Sequence, residues 1–132
     1  MSSITVISRV DASSSPLPLK AGDAELLLTS VVLTGLQPCQ RVAVEATVVW
    51  ENAVPNLDIG ELELTIRDTG IHGEQLADTQ ESCYLSVASE LYFEERTGSE
   101  PTRVYALTVR SSDERAIIVG PVVLKATVFI EN

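Results

Sequence analysis

The chain has 132 residues, 45% of them hydrophobic, and a formal charge of −10. That length and apolar content describe one globular domain able to bury roughly two thirds of its unfolded surface, which excludes wholesale disorder. Its 19 acidic residues are scattered rather than gathered in a tail, so there is no basic footprint for nucleic acid, and an anionic lipid surface would repel it; nor does any apolar run reach the roughly 18 residues of a membrane-spanning helix, so membrane insertion is not expected.

The chain opens with MSSITVISRVD, which holds a strand pattern over residues 4–10. It lacks the apolar core of a secretory signal peptide. DASSSPLPLK follows, a Ser/Pro linker biased to extended backbone. Residues 1–23 therefore read as an arm plus linker, tied to a sheet edge that is either its own or a neighbour's. Residues 24–132 read as one β-domain.

Within that domain the apolar period is two almost everywhere. Strands are expected at 24–33, 42–50, 61–67, 79–87, 90–95, 103–110, 116–119 and 122–130. In the second of these Val42, Val44, Ala46, Val48 and Trp50 share one face, as in a half-buried strand. Likewise Leu62, Leu64 and Ile66 alternate with Glu61, Glu63, Thr65 and Arg67; Arg103, Tyr105, Leu107 and Val109 with Val104, Ala106, Thr108 and Arg110; and Val122, Leu124, Ala126, Val128 and Ile130 with Val123, Lys125, Thr127 and Phe129. β-Branched residues dominate, as a pleated surface prefers. Gly-, Pro-, Asn- and Asp-rich stretches punctuate the runs, among them NAVPNLDIG, DTGIHGE, RTGSEP and GP. The only helical candidate, GEQLADTQES, is short and uncapped. The expected fold is all-β: an antiparallel β-sandwich or jelly roll of about 8–10 strands, with an Ig-like sandwich as the alternative.

Two outer faces carry apolar residues, Ala43 and Val49 on one strand and Val123 and Phe129 on another. A second copy of the chain would cover them. Val49, Val123 and Phe129, with Ile4, Val6 and Ile7 of the arm, are the expected interface of a homo-oligomer, a trimer or a fibre. An arm exchanged without closure would propagate a filament.

Asp68-Thr69-Gly70 is the triplet with which aspartic proteases present a carboxylate. Here Arg67 precedes it and no Gly-rich flap follows, so a strand-to-strand turn explains it with less, Gly70 supplying a positive φ and Asp68 bonding its own backbone. Cys39 lies in a turn-like stretch and Cys83 in a strand-like one; free thiols and a disulfide, within or between chains, are both open. The lone histidine, His72, has no patterned nucleophile beside it, and no metal-ligand spacing exists. The clusters Glu94-Glu95, Glu100 and Asp113-Glu114 offer hard oxygens for Ca²⁺ but lack a spaced ligand loop, so solvated charge is the favoured reading. Trp50 and Tyr105 fall on inward faces. No cofactor is expected.

Residues 40–130 resemble the tumour-necrosis-factor-like jelly roll of bacterial spore-surface, exosporium collagen-like glycoproteins. QRVAVEATVVWEN is similar to an early core strand, IGELELTIRDTGIHGEQLADTQES to a strand–turn–strand, and RVYALTVRSSDERAIIVGPVVLKATVF to the closing strands. A collagen-like Gly-X-Y stalk is absent, and residues 1–23 have no family counterpart. The resemblance implies a compact homotrimer with a structural or adhesive role and no catalysis. The expected function is thus a non-enzymatic, self-assembling structural protein of a bacterial surface, spore coat or extracellular filament. The alternative is a surface module binding a ligand, glycan or Ca²⁺ near Asp113 and Glu114, and more remotely a dimeric aspartic protease using Asp68.

Overall fold

A computed structural model describes residues 2–11, 17–55 and 57–130. Most of the Ser/Pro linker (12–16), Asn56 of the NAVPNLDIG stretch and the last two residues lie outside these. Among the described residues there are nine strands and no helix: β1 (Ser2–Val10), β2 (Leu19–Lys20), β3 (Leu26–Leu33), β4 (Arg41–Asn52), β5 (Gly60–Asp68), β6 (Gln75–Cys83), β7 (Ser86–Arg96), β8 (Arg103–Arg110) and β9 (Ala116–Ile130). No helix long and apolar enough to cross a membrane is therefore present among them.

The strands form two antiparallel sheets. One has the order β1-β9-β4-β7 with β2 also on β9; the other has the order β3-β8-β5-β6. The pairs nest. β5 pairs with β6, β4 with β7, β3 with β8 and β1 with β9, all antiparallel. The chain is one long hairpin rolled up so that successive pairs fall in opposite sheets. This order makes the sandwich a jelly roll and removes the Ig-like alternative, whose sheets group the strands differently.

Inward residues of both sheets make one core. Val42, Val44, Ala46, Val48 and Trp50 of β4 meet Leu62, Leu64 and Ile66 of β5, Tyr105, Leu107 and Val109 of β8, and Val122, Leu124 and Ala126 of β9. Burying each large aliphatic side chain contributes about 1.5–3 kcal/mol. Inside this core the Trp50 indole Nε1 donates to Ser89 Oγ at 2.8 Å, and the Ser89 hydroxyl donates to Glu81 Oε1 at 2.8 Å. The relay crosses from β4 to β7 to β6 and satisfies a donor that would otherwise be stranded in apolar surroundings.

Three expectations need correction. The stretch 116–130 is one strand rather than two. Gly120-Pro121 lies within β9, where the β4 partners jump from Val48↔Val122 to Trp50↔Ile118. Gly120 takes φ 81, and the bulge hosts a proline that has no donor to give the ladder. The turn between β6 and β7 falls at Tyr84-Leu85, so the strands expected at 79–87 and 90–95 become Gln75–Cys83 and Ser86–Arg96. The short helical candidate is most of β6.

β1 is tied to its own chain, pairing with β9 from Ser2↔Ile130 to Val10↔Val122. The two described ends therefore meet at one end of the sandwich, beside the 34–40, 69–74 and 97–102 connections. The 53–59, 84–85 and 111–115 connections lie at the other.

Candidate functional site

The Asp68 triplet is a turn between β5 and β6, built differently from expectation. Thr69, not Gly70, takes the left-handed conformation, with φ 72. The Asp68 amide donates to the Glu74 carbonyl at 2.9 Å, the Gly73 amide to the Gly70 carbonyl at 2.9 Å, and the Thr69 amide to the Val104 carbonyl of β8 at 2.9 Å. Gly73 is the indispensable glycine: a Cβ there would sit 1.6 Å from the Asp68 carbonyl oxygen, whereas at Gly70 a Cβ would meet nothing within 4 Å. The Asp68 carboxylate does not cap its own backbone; it accepts from Thr69 Oγ1 at 2.9 Å and pairs with Arg103 Nη1 at 2.6 Å. Its near neighbour is thus a guanidinium, where a protease dyad needs a second carboxylate. Arg103 also forks onto Glu95, at 2.8 and 3.1 Å. Glu95 in turn accepts from the buried Tyr105 hydroxyl. Burial first, and that bond second, push the phenol well above its ordinary range.

The other singled-out residues are dispersed. Asp113 closes the 111–115 turn, accepting from Ser111 Oγ at 2.9 Å and the Arg115 amide at 3.1 Å. Asp113 and Glu114 lie at the end of the sandwich opposite Glu100. Among the described residues no group of three or more His, Cys, Asp or Glu side chains converges to hold a metal. Cys39 and Cys83 are free thiols. They sit near opposite ends of β4, separated by roughly 35 Å of strand, far beyond the roughly 4.4–6.8 Å Cα span of a disulfide; a bridge within one chain is not formed. Burial, with the Glu81 charge adding to it, raises the Cys83 thiol above its ordinary value.

Two surfaces carry features that connection chemistry does not explain. The first is the flank where the edge strands β1 and β3 lie side by side. Ile4, Val6, Val32, Leu33, Val128 and Ile130 line a cleft of about 110 Å³ there. Ile4 is 57% exposed and Val6 half-buried there, whereas Ile7, 59% exposed, lies on the other face of β1, beside Lys125. β3 is uncharged, and Arg9 is the only charged residue of β1. The remaining members of the expected interface lie elsewhere. Val49, Val123 and Phe129 are half-buried on the outer face of the β1-β9-β4-β7 sheet, with the Arg41 guanidinium 3.8 Å above the centre of the Phe129 ring.

The second surface is that outer face. Register puts its side chains in rows across β7, β4, β9 and β1: Glu90–Thr47–Val123–Arg9, Tyr92–Glu45–Lys125–Ile7, and Glu94–Ala43–Thr127–Thr5. Small residues in the middle and long ones at the sides leave a trough of about 350 Å³ over Thr47 and Val123, between Glu90 and Tyr92 on one side and Lys125 on the other. Lys125 Nζ pairs with Glu45 at 2.9 Å, and Arg41 pairs with Glu94 at 3.3 Å. The Tyr92 hydroxyl donates to Glu94 Oε2 at 2.6 Å. That bond holds the Glu94 carboxyl below its ordinary value and the Tyr92 phenol above its own. Period-two alternation already places Glu90, Tyr92 and Glu94 on one side of a strand. What the sequence hides is that β4 and β9 lie beside it.

No protein-family model matches this chain, and no curated protein matches it. Among solved structures it is similar to the EclA C-terminal domain, described as a sugar-binding protein, at 15% identity, with 96% of this chain and 79% of that one covered and a TM-score of 0.47. It is also similar to the VP2 subviral particle of infectious bursal disease virus, at 12% identity, with 97% of this chain covered and a TM-score of 0.47. The infectious bursal disease virus Gx strain matches at 14% identity, 98% coverage and a TM-score of 0.45. The chain spans 38% of each of these two viral chains.

Proposed function

We propose that this protein is a non-enzymatic structural subunit that self-associates through the flank formed by β1 and β3. The observation that carries the reading is the sparsely charged edge of β1, whose one charged residue, Arg9, is paired with Asp11. A sheet edge left open offers a row of backbone donors and acceptors to another chain, and proteins blunt such edges with charge. β7 carries Glu90, Glu94, Glu95 and Arg96, and β6 carries Asp78 and Glu81. β1 has nothing comparable, and its exposed Ile4 sits over the apolar cleft. Copies bearing −10 each repel one another over most of their surface, which singles out this flank as the place where a second copy can approach. Antiparallel pairing of β1 with β1 about a twofold axis would extend the sheet across both subunits. A bacterial cell or spore surface is the proposed setting, and the support for it is the resemblance of residues 40–130 to spore-surface jelly rolls.

Light scattering of the purified chain over a concentration series tests the reading. An oligomer that dissociates when Ile4 is replaced by Lys is the expected result. A wild-type chain that stays monomeric at every soluble concentration, or an oligomer indifferent to Ile4→Lys, refutes it.

A further inference from the structure

We propose that the trough on the outer face of the β1-β9-β4-β7 sheet binds a neutral saccharide, with Tyr92 as the stacking platform. The trough is lined by Glu45, Thr47, Glu90, Tyr92, Val123 and Lys125 and encloses about 350 Å³, at the lower end of the roughly 300–1,000 Å³ of small-molecule pockets. It is distinct from the β1/β3 flank.

The side chains select the ligand class. Tyr92 is 53% exposed on a flat sheet face, where a large aromatic ring gains little from the core. Its hydroxyl is bonded to Glu94, two residues along the same strand, which lays the ring along β7 and fixes its orientation before any ligand arrives. An aromatic face held in that way accepts the C–H face of a sugar ring. Around it stand acceptors (Glu45 and Glu90), an ammonium donor (Lys125) and a hydroxyl that does both (Thr47). Adjacent sugar hydroxyls present such mixed donors and acceptors at the edge of an apolar disc.

Other classes fit less well. An anion meets the carboxylates of Glu45, Glu90 and Glu94 on a chain already at −10. A polyamine finds two of those three carboxylates already paired, with Lys125 and Arg41. A purely apolar ligand would strand the charged rim without hydrogen bonds.

The test is a titration of the ¹⁵N-labelled chain, followed by amide chemical shifts, with a panel of neutral oligosaccharides: cellohexaose, xylohexaose, laminarihexaose and mannohexaose. At least one should move amides confined to residues 45–47, 90–94 and 123–125. Tyr92→Ala should weaken that binding roughly tenfold or more while leaving the melting temperature unchanged, because the ring packs on the surface. Tyr92→Phe should retain most of the affinity. The proposal is overturned if no member of the panel moves these amides, if Tyr92→Ala binds as tightly as wild type, if Tyr92→Phe loses as much as Tyr92→Ala, or if spermidine binds the same residues more tightly than any sugar. Because the light-scattering test concerns Ile4, which lines the other cleft, the two outcomes are separable.

Discussion

Replacing Ser89 by Ala removes one oxygen from the core and leaves the Trp50 indole N–H without its acceptor. Trp50 is 0% exposed and Ser89 1% exposed, so solvent does not replace the lost bond. A buried donor left unsatisfied costs about 1–3 kcal/mol; taking about 2 kcal/mol is reasonable, since the lost volume is small and Glu81, being half-exposed, regains a water. Unfolding entropy of about 2.1 cal/mol/K per residue over 132 residues is about 0.28 kcal/mol/K, so the melting temperature should fall by about 7 °C. Urea unfolding followed by circular dichroism measures the cost directly, and a double-mutant cycle isolates its origin. In a Trp50→Phe background there is no indole donor to strand, so Ser89→Ala should cost at least about 1 kcal/mol less. A Ser89→Ala protein within about 0.5 kcal/mol of wild type, or an equal cost in both backgrounds, would show that the relay from Trp50 through Ser89 to Glu81 does not stabilise the core.

Further outcomes follow from other parts of the molecule. Gly73→Ala should destabilise by about 2 kcal/mol or more, because its methyl collides with the Asp68 carbonyl, while Gly70→Ala should change stability by less than about 0.5 kcal/mol; thermal denaturation of both separates them. The hydrogen bond from Arg67 holds the Glu25 carboxyl below its ordinary 4.5, against the opposing effect of burial. A depressed folded-state value means stabilisation that is complete above the unfolded value and lost as pH falls through the folded one. Glu25→Gln should therefore be less stable than wild type at neutral pH and converge with it in acid, as a pH series of urea midpoints would show. In native protein iodoacetamide should modify the exposed Cys39 well before Cys83, whose thiol is half-buried and raised in pKa; equal labelling rates by mass spectrometry would contradict this placement.

Strand content was legible because alternation and burial agree. Every apolar position on the named inward faces of β4, β5 and β8 between Val42 and Val109 is buried, while Arg103, on the same face of β8, stays half-buried at the end of the strand. Boundaries failed where local chemistry points away from the fold. Tyr84 and Leu85 look like strand residues yet form the β6–β7 turn, both exposed, and its geometry is held from outside by Asn52, whose amide donates to the Tyr84 carbonyl at 3.1 Å. Gly120-Pro121 looks like a break yet is absorbed by a bulge, because β4 continues on the other side. Both outcomes depend on partners far away in sequence, which a local window does not contain. The same reason hid the trough: Tyr92, Thr47 and Lys125 are brought together only by the order β7-β4-β9. Conversely, the Asp-Thr-Gly triplet was conspicuous locally, and its surroundings made it a hinge of backbone bonds with an ion-paired carboxylate.

Ser2 and Ile130 are direct partners across a strand pair, which puts their Cα atoms about 5 Å apart. A short peptide would join them, so the chain could be reopened at Tyr84-Leu85 as a circular permutant with the core untouched. The adjacency also sets how the subunit hangs. A tether added at either end leaves from the same pole, so a stalk or a fused protein would hold the sandwich upright, with Leu57, Tyr84 and Leu85 pointing away from the anchor and the Tyr92 trough turned to the side.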